Sequence, residues 1–301
     1  MPELETLSNR LASGAVLLVD GAIGTMLLER GLEPGKPPES FTLSHPEVLE
    51  DVAGQYVSAG ADIVETNTFG ASPMRLEPYG LADRTEELNR EAVAAVRRAA
   101  AGRAYVAGSV GPSGRMLTPY GDTDPRDIYE NFRTQMQCLA DAGVDCVCVE
   151  TMLDLTEATL AVQAAKEVLP HTPLTATMTF DETPKGFFTV MGVSVEAAAA
   201  GLADAGADAV GSNCGSGIEV MIRIAEEFRR VSDLPIIIQP NAGLPEIEGG
   251  KAVYTEPPEF TADRARQLID AGVRIIGGCC GTTPDHTRAV REMVNQHQGA
   301  A

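Results

Sequence analysis

A four-residue pattern recurs along the chain and indicates how its secondary structure is ordered. The pattern Ala-Gly-Ala/Val-Asp/Arg occupies residues 59–62, 142–145, 205–208 and 271–274, and an apolar run follows or overlaps the end of each copy. A glycine at this place is typical of a helix C-cap, so each copy predicts a helix end followed by a strand. The four strands predicted in this way span residues 63–66, 146–149, 209–211 and 275–276.

Further short runs rich in β-forming residues lie in the gaps, at 16–20, 105–110, 174–180 and 235–239. Segments with helical periodicity separate the strands, at 86–101, 129–141, 156–168, 195–205, 217–230 and 261–270. This alternation predicts an α/β protein, a single (β/α)8 barrel of the TIM type over residues 1–301. An open doubly wound sheet is the alternative. It is disfavoured because no Gly-x-Gly-x-x-Gly motif follows the first strand.

Two inserts interrupt the alternation of strands and helices. Residues 31–45 are rich in Pro, Gly and Ser, and residues 244–259 contain several Pro and Gly. Connections of this length are more often functional than simple spacers, so both are predicted to cover a site at the strand ends.

The charge of the chain restricts its partners. Its 43 acidic and 23 basic residues give a formal net charge of −20, which argues against nucleic acid and anionic membranes as partners. No apolar run approaches the length of a membrane span. With six cysteines and no evident secretion signal, we expect a reducing, cytoplasmic location in which thiols persist as metal ligands.

Three cysteines are placed where the barrel would have its active site. Cys214 follows one predicted strand, and the adjacent pair Cys279 and Cys280 follows another. Three thiolates with one open position can hold a catalytic zinc. Flanking glycines permit a break in the strand, so both members of the pair can face one metal. The alternatives are a vicinal disulfide or redox switch at 279–280, with Cys214 as a core thiol.

Polar residues at other strand ends suggest a binding site for an amino acid. Asp20 ends the first strand beside the backbone amides of Gly21 and Ala22, so the carboxylate could take an ammonium and the amides a carboxylate. Glu150 ends the fourth strand as a second anion. Asp20 could equally cap the next helix, and Glu150 could pair with an arginine. Other strand-end residues that could orient a substrate or complete a zinc site are Thr66, Asn67, Asn213 and Asn241.

These motifs together resemble the homocysteine S-methyltransferase family, and within it the homocysteine-binding barrel of cobalamin-dependent methionine synthases. The resemblance spans nearly the whole chain in barrel order. The segments that carry it are 20–26, 65–69, 108–112, 149–151, 213–214, 240–243 and 277–284. The combination of Asn-Cys with Gly-Gly-Cys-Cys is highly specific.

The resemblance implies a zinc ion held by Cys214, Cys279 and Cys280, with Asn241 as the fourth ligand when substrate is absent. It also implies that homocysteine is activated as a zinc-bound thiolate and methylated to methionine. Asp20 and Glu150 would hold its ammonium, and the amides near Gly21 and Ala22 its carboxylate. The other substrate-binding positions that the resemblance suggests are Thr66, Asn67, Ser109 and Asn213.

The methyl donor is less clearly indicated. Betaine-using relatives have tyrosines where this chain has Gly70 and Thr151, so betaine is disfavoured. An Asp-x-His-x-x-Gly corrinoid-ligand motif is absent from the sequence. The donors that stay open are a methylcorrinoid carried by a separate protein or module, which is favoured, and S-methylmethionine. Two other functions stay open: a corrinoid-linked demethylase of another methyl compound, and a non-catalytic zinc or redox protein.

Overall fold

Eight parallel strands form the centre of the computed structural model, which describes residues 4–249 and 251–299. In chain order they are β1 (Leu17–Leu18), β2 (Ile63–Glu65), β3 (Tyr105–Val110), β4 (Cys146–Met152), β5 (Leu174–Met178), β6 (Ala209–Asn213), β7 (Ile236–Gln239) and β8 (Val273–Ile276). Consecutive strands pair from β2 through to β8, and β8 pairs with β1. A parallel bridge between Val19 and Ile63 closes the circle. The predicted (β/α)8 barrel is therefore confirmed.

A helix follows each strand and covers the outside of the barrel. These helices are α1 (Pro46–Ala59), α2 (Thr85–Ala100), α3 (Pro125–Ala142), α4 (Leu155–Val168), α5 (Val195–Ala205), α6 (Ile218–Val231), α7 (Pro258–Asp270) and α8 (Pro284–Gly299). Shorter helical segments are Leu7–Ala12, Ile23–Glu29, Glu39–Ser44 and Pro73–Leu76, with 3-10 turns at Glu77–Tyr79 and Ala82–Arg84. Within the described ranges, none of the helices has the length and hydrophobicity needed to cross a membrane.

The recurring four-residue pattern performs two structural tasks. Its glycine caps the preceding helix in the left-handed conformation in three copies, as at Gly60 with φ of 102°. In the same copies its aspartate accepts a backbone N–H from the preceding strand: Asp62 from Leu18 at 2.9 Å, and Asp208 from Leu174 at 2.8 Å. The pattern thus ends a helix and ties the start of one strand to its neighbour.

The core consists of two layers. Ala, Val, Ile and Leu fill the space between the strands and the helices. A smaller cluster fills the barrel interior and includes Tyr105, Ile237 and Ile275. Cys146 and Cys148 belong to this inner cluster and are 1% and 2% exposed. Both cysteines therefore lie in the core and apart from the three thiols at the strand ends, as the alternation along β4 predicts.

The two inserts fold as short structured connections. The segment 31–45 contains the helix Glu39–Ser44, and the segment 244–259 contains a hairpin of Glu246–Glu248 with Lys251–Val253. Residue 250, in the second insert, lies outside the described residues. The sequence did not predict a second hairpin, which pairs Asp181–Thr183 with Gly186–Phe188 after β5. Part of the first insert borders a cavity at the carboxyl ends of the strands, in agreement with the prediction that it covers a site.

Candidate active site

A cavity of about 420 Å³ opens at the carboxyl ends of the strands. The predicted site residues that line it are Gly21, Ala22, Thr66, Asn67, Ser109, Glu150, Cys214, Cys279 and Cys280. Three other predicted residues are buried outside this lining: Asp20, Asn213 and Asn241. Barrel closure therefore brings the three thiols and most of the polar strand-end residues to one cavity. Asp20, Asn213 and Asn241 lie outside its lining.

The three thiols form a compact cluster. The sulfur atoms of Cys214, Cys279 and Cys280 all lie within 4.8 Å of one another, and those of Cys214 and Cys280 are 3.9 Å apart. Four ligands at about 2.3 Å around a tetrahedral zinc ion place sulfur atoms about 3.8 Å apart. All three cysteines are free thiols in the structure. The donor set and its spacing therefore fit a zinc ion.

The backbone at each strand end directs the sulfurs into the cavity. β8 ends at Ile276, so Cys279 and Cys280 lie beyond the strand and do not alternate across its faces. The Cys279 N–H donates to the Pro240 carbonyl at 2.8 Å, which fixes the pair against the end of β7. Cys214 has a left-handed backbone, with φ of 61°. Left-handed backbone is unfavourable for a residue other than glycine, and such strain is often found at functional sites.

The thiol cluster shares negative charge. Hydrogen bonds from Cys279 and Cys280 lower the pKa of the Cys214 thiol well below its usual value. The same contacts raise the pKa of Cys279. The contacts therefore favour negative charge on the Cys214 sulfur, and a thiolate is the form of cysteine that binds a metal cation.

Asn241, the predicted fourth ligand, is buried near the thiol cluster. It is 5% exposed, and its side chain helps to lower the pKa of the Cys214 thiol. Among the described residues its Oδ1 atom is buried without a hydrogen-bond partner. A buried acceptor without a donor is costly, and a metal ion would satisfy it.

Another part of the cavity lining, here called the acidic wall, carries the carboxylates of Glu65 and Glu150. Glu150 accepts hydrogen bonds from the Ser109 hydroxyl and, at 3.1 Å, from Asn213 Nδ2. Burial, and then the nearby Glu65 carboxylate, raise the pKa of Glu150 well above its usual value. Burial likewise raises the pKa values of Glu65 and Asp20. Within the described ranges none of these three carboxylates forms a salt bridge, so Glu65 and Glu150 in the lining, with Asp20 buried outside it, favour a cationic ligand group.

Comparison with known proteins identifies the family. A family model described as homocysteine S-methyltransferase matches residues 17–294. The chain belongs to the homocysteine S-methyltransferase family. It is 34% identical to the methionine synthases of Mycobacterium leprae and Mycobacterium tuberculosis over 97% of its own length. The chain spans 25% of the length of each of these curated relatives.

Solved structures of homocysteine methyltransferase MmuM from Escherichia coli have the same fold. The metallated form superposes with a TM-score of 0.79 and 25% identity, covering 95% of this chain and 99% of that one. The oxidized form gives a TM-score of 0.76 and 26% identity, covering 92% and 95%. The predicted family is therefore confirmed.

Sequence reasoning missed several cavity residues of this family member. Glu65 lines the cavity beside Thr66 and Asn67; the sequence places all three at the end of the second strand but does not predict that Glu65 binds substrate. The outer part of the cavity is lined by residues of the first insert and of the β2–α2 connection, namely Lys36, Pro37, Pro38, Glu39, Gly70, Arg75 and Tyr79. These residues could not be assigned from sequence because they lie in connections without a recognisable period.

Two predicted substrate-binding residues make other contacts. The Asn67 amide donates to the Pro38 carbonyl at 2.8 Å and to Thr42 Oγ1 at 3.1 Å, so it fastens the first insert. The Ala22 N–H donates to Thr282 Oγ1 at 3.2 Å. Neither contact excludes a substrate, but each shows that the group already has a structural partner.

Proposed function

We propose that this chain transfers a methyl group to the sulfur of homocysteine and forms methionine, with zinc held by Cys214, Cys279 and Cys280. The observation that carries the proposal is that a thiol cluster and an acidic wall face the same cavity, and that the acidic wall forms no salt bridge within the described residues. The first suits the sulfur end of an amino thiol and the second its ammonium end. Asn241 would be the fourth ligand when substrate is absent, because its Oδ1 atom has no other partner among the described residues.

The protein groups have separate roles in this proposal. At neutral pH a free thiol, with a pKa of about 8.5, is mostly protonated. Zinc, when bound, would stabilise the substrate sulfur as a thiolate at this pH. Glu150 binds the ammonium, and Ser109 orients Glu150 through its hydroxyl. Asp20 and Glu65 add negative charge behind it. The substrate carboxylate would meet backbone amides near Gly21, since the Ala22 amide is used by Thr282.

For the donor we infer a methylcorrinoid on a separate protein or module, in preference to S-methylmethionine. The chain is 34% identical to methionine synthases but 25% identical to MmuM. A Cβ atom at position 70 would come within 2.9 Å of Glu39 Oε1, so a tyrosine there would require Glu39 to move and to give up its bond to the Gly70 N–H.

An activity assay tests the acceptor and the donor together. Reduced, zinc-loaded protein is incubated with homocysteine and, in turn, methylcobalamin, S-methylmethionine and betaine. Methionine should form with methylcobalamin and not with betaine. Methionine formed only from S-methylmethionine would overturn the corrinoid inference, and no methionine from any donor would count against homocysteine as acceptor.

A binding experiment tests the activation of the sulfur independently of the donor. Homocysteine should release about one proton on binding near neutral pH, because its thiol is bound as a thiolate. Calorimetry in two buffers of different ionisation enthalpy measures this release, and methionine, which has no thiol, is the matched control ligand. X-ray absorption should show a fourth sulfur at about 2.3 Å from zinc only with homocysteine. Identical spectra with and without it would rule out the proposed activation.

A further inference from the structure

Asn213 lies between the acidic wall and the thiol cluster without lining the cavity. Its side chain is fully buried at the end of β6. Oδ1 accepts the Thr151 N–H and the Thr177 hydroxyl, both at 2.7 Å. Because a backbone N–H can only donate, this contact fixes which way the amide points. The Nδ2 group therefore faces the opposite side.

The Nδ2 group of Asn213 touches both functional parts of the site. It donates to Glu150 Oε2 at 3.1 Å and to Thr151 Oγ1 at 2.7 Å. It also approaches Cys279 Sγ to 4.0 Å. Cys214 follows Asn213 directly in the chain. One side-chain amide thus lies between the Glu150 carboxylate and the Cys279 thiol, and the backbone links it directly to Cys214.

Thr151 shows why such an amide is needed. Its φ of 59° lies in the left-handed region, which a β-branched residue rarely adopts. The pairing of β4 with β5 shifts register between Val149 and Met152, so the strand is bent where Glu150 projects. Asn213 binds both the N–H and the hydroxyl of Thr151. It therefore holds the bend that aims Glu150.

We propose that Asn213 is a positioning residue that aims Glu150 at the substrate ammonium and fixes its distance from the thiol cluster. This inference rests on the proposed function, because it assumes that a thiol with an α-ammonium spans the two groups. It replaces the sequence prediction that Asn213 binds substrate directly. Loss of Asn213 should then weaken recognition of the ammonium and leave recognition of the sulfur intact.

The test compares two ligands on zinc-loaded protein by calorimetry. Homocysteine carries the ammonium, and 4-mercaptobutyrate is the same molecule without it. Asn213→Ala should lower the affinity for homocysteine about 10- to 100-fold, the loss typical of a hydrogen bond to a charged group. It should change the affinity for 4-mercaptobutyrate by less than about twofold. Zinc content should stay at the wild-type level.

The matched control is Asn131→Ala. Asn131 is 5% exposed and also accepts a backbone N–H, from Met74 at 2.8 Å, but lies on α3 outside the cavity lining. It should change neither affinity. If Asn213→Ala does not fold, Thr177→Val removes one hydrogen bond to the Oδ1 atom of Asn213 without adding charge. This variant should lower the affinity for homocysteine, and not that for 4-mercaptobutyrate, by about threefold or more.

Each outcome separates the two proposals. Equal weakening of both ligands, or loss of zinc, would make Asn213 only structural and overturn this inference while leaving the proposed function intact. Unchanged homocysteine affinity in a folded Asn213→Ala would do the same. A wild-type protein that binds the two ligands equally would overturn the ammonium site itself, and with it both proposals.

Discussion

Thr151 and Cys214 are non-glycine residues whose φ angles are 59° and 61°. Each such conformation costs on the order of 1–3 kcal/mol and persists only where the surroundings enforce it. The residue types of the site were predictable, because Glu150 and Cys214 follow buried runs in the sequence. Their backbone conformations were not, because they depend on contacts such as that of Asn213 with Thr151, which joins two strands that are not adjacent in the chain.

The thiol cluster leads to a prediction about metal content. Reduced protein should contain about one zinc per chain, and Cys279→Ser should lower the occupancy sharply, because a hydroxyl binds zinc far more weakly than a thiolate. Cys138→Ser is the control, since Cys138 is also a free cysteine but lies on α3 outside the cluster. Metal analysis after gel filtration measures both. Stoichiometric zinc in a variant lacking all three cysteines would disprove the assignment.

The acidic wall leads to a prediction about substrate affinity. Glu150→Gln should weaken the binding of homocysteine by about 2–4 kcal/mol, because it removes one charge of a buried ion pair. It should leave the zinc content unchanged. Glu157→Gln is the matched control, because Glu157 is also buried but bonds the Ser113 N–H and hydroxyl outside the cavity lining. Titration calorimetry compares the two. Unchanged affinity in Glu150→Gln would mean that the ammonium binds elsewhere.

At the scale of elements, long periodic segments were predictable and short ones were not. The predicted helix at 195–205 and strand at 105–110 agree with α5 and β3. The helix Glu39–Ser44 has only six residues and depends on a tertiary contact, in which Glu39 Oε1 accepts the Gly70 N–H at 2.6 Å. The hairpin after β5 is equally short. Such elements carry too few residues for a period to be recognised.

The second insert supports the thiol pair through Tyr254. A Cβ atom at Gly281 would overlap the Tyr254 ring, and Gly281 has a φ of 78°. Burial is the main reason that the pKa of Tyr254 is raised, and its contact with Cys280 raises it further. The insert and the turn after Cys280 are therefore packed against each other with no space for an added methyl group.

A pair of glycine substitutions tests this packing. Gly281→Ala combines backbone strain with overlap, whereas Gly14→Ala has the same strain at φ of 77° and open space around the new atom. The unfolding free energy should fall further in Gly281→Ala, by about 1–3 kcal/mol, the usual cost of overpacking. Urea denaturation measures both. Equal losses would mean that the insert moves away from Gly281 without cost.

At the scale of the whole molecule, barrel closure decides which residues meet. Asp20, Cys214 and Cys279 follow β1, β6 and β8, and Glu150 lies near the end of β4. The sequence predicted that these residues share one end of the barrel, because the carboxyl ends of parallel strands lie together. The sequence could not predict that Asp20 lies outside the cavity lining, or that its Oδ1 atom has no hydrogen-bond partner among the described residues. Both features depend on the register around the closed sheet.

The pH dependence of stability is the consequence of these buried acids for the whole molecule. Burial first, and Glu65 second, raise the pKa of Asp20 well above its usual value. The folded state then binds more protons than the unfolded state at any pH between the unfolded and folded pKa values. The contribution of Asp20 to the stability of the ligand-free protein is therefore greatest below about pH 4. This contribution is lost as the pH rises through the folded pKa of Asp20.

Asp20→Asn removes this proton-binding group and tests its effect. At about pH 7.5 the ligand-free variant should be more stable than wild type by on the order of 1–3 kcal/mol, the cost of an unsatisfied buried polar group, and its stability should fall less as the pH rises from about 4 to about 7.5. Asp204→Asn is the control, because it removes the same charge from an exposed position on α5. Urea unfolding in about 0.5 M NaCl screens the repulsion that arises from the net charge of −20. If the two variants have the same pH slope as wild type, Asp20 does not bind the extra proton, and the buried acids must share their charge in another way.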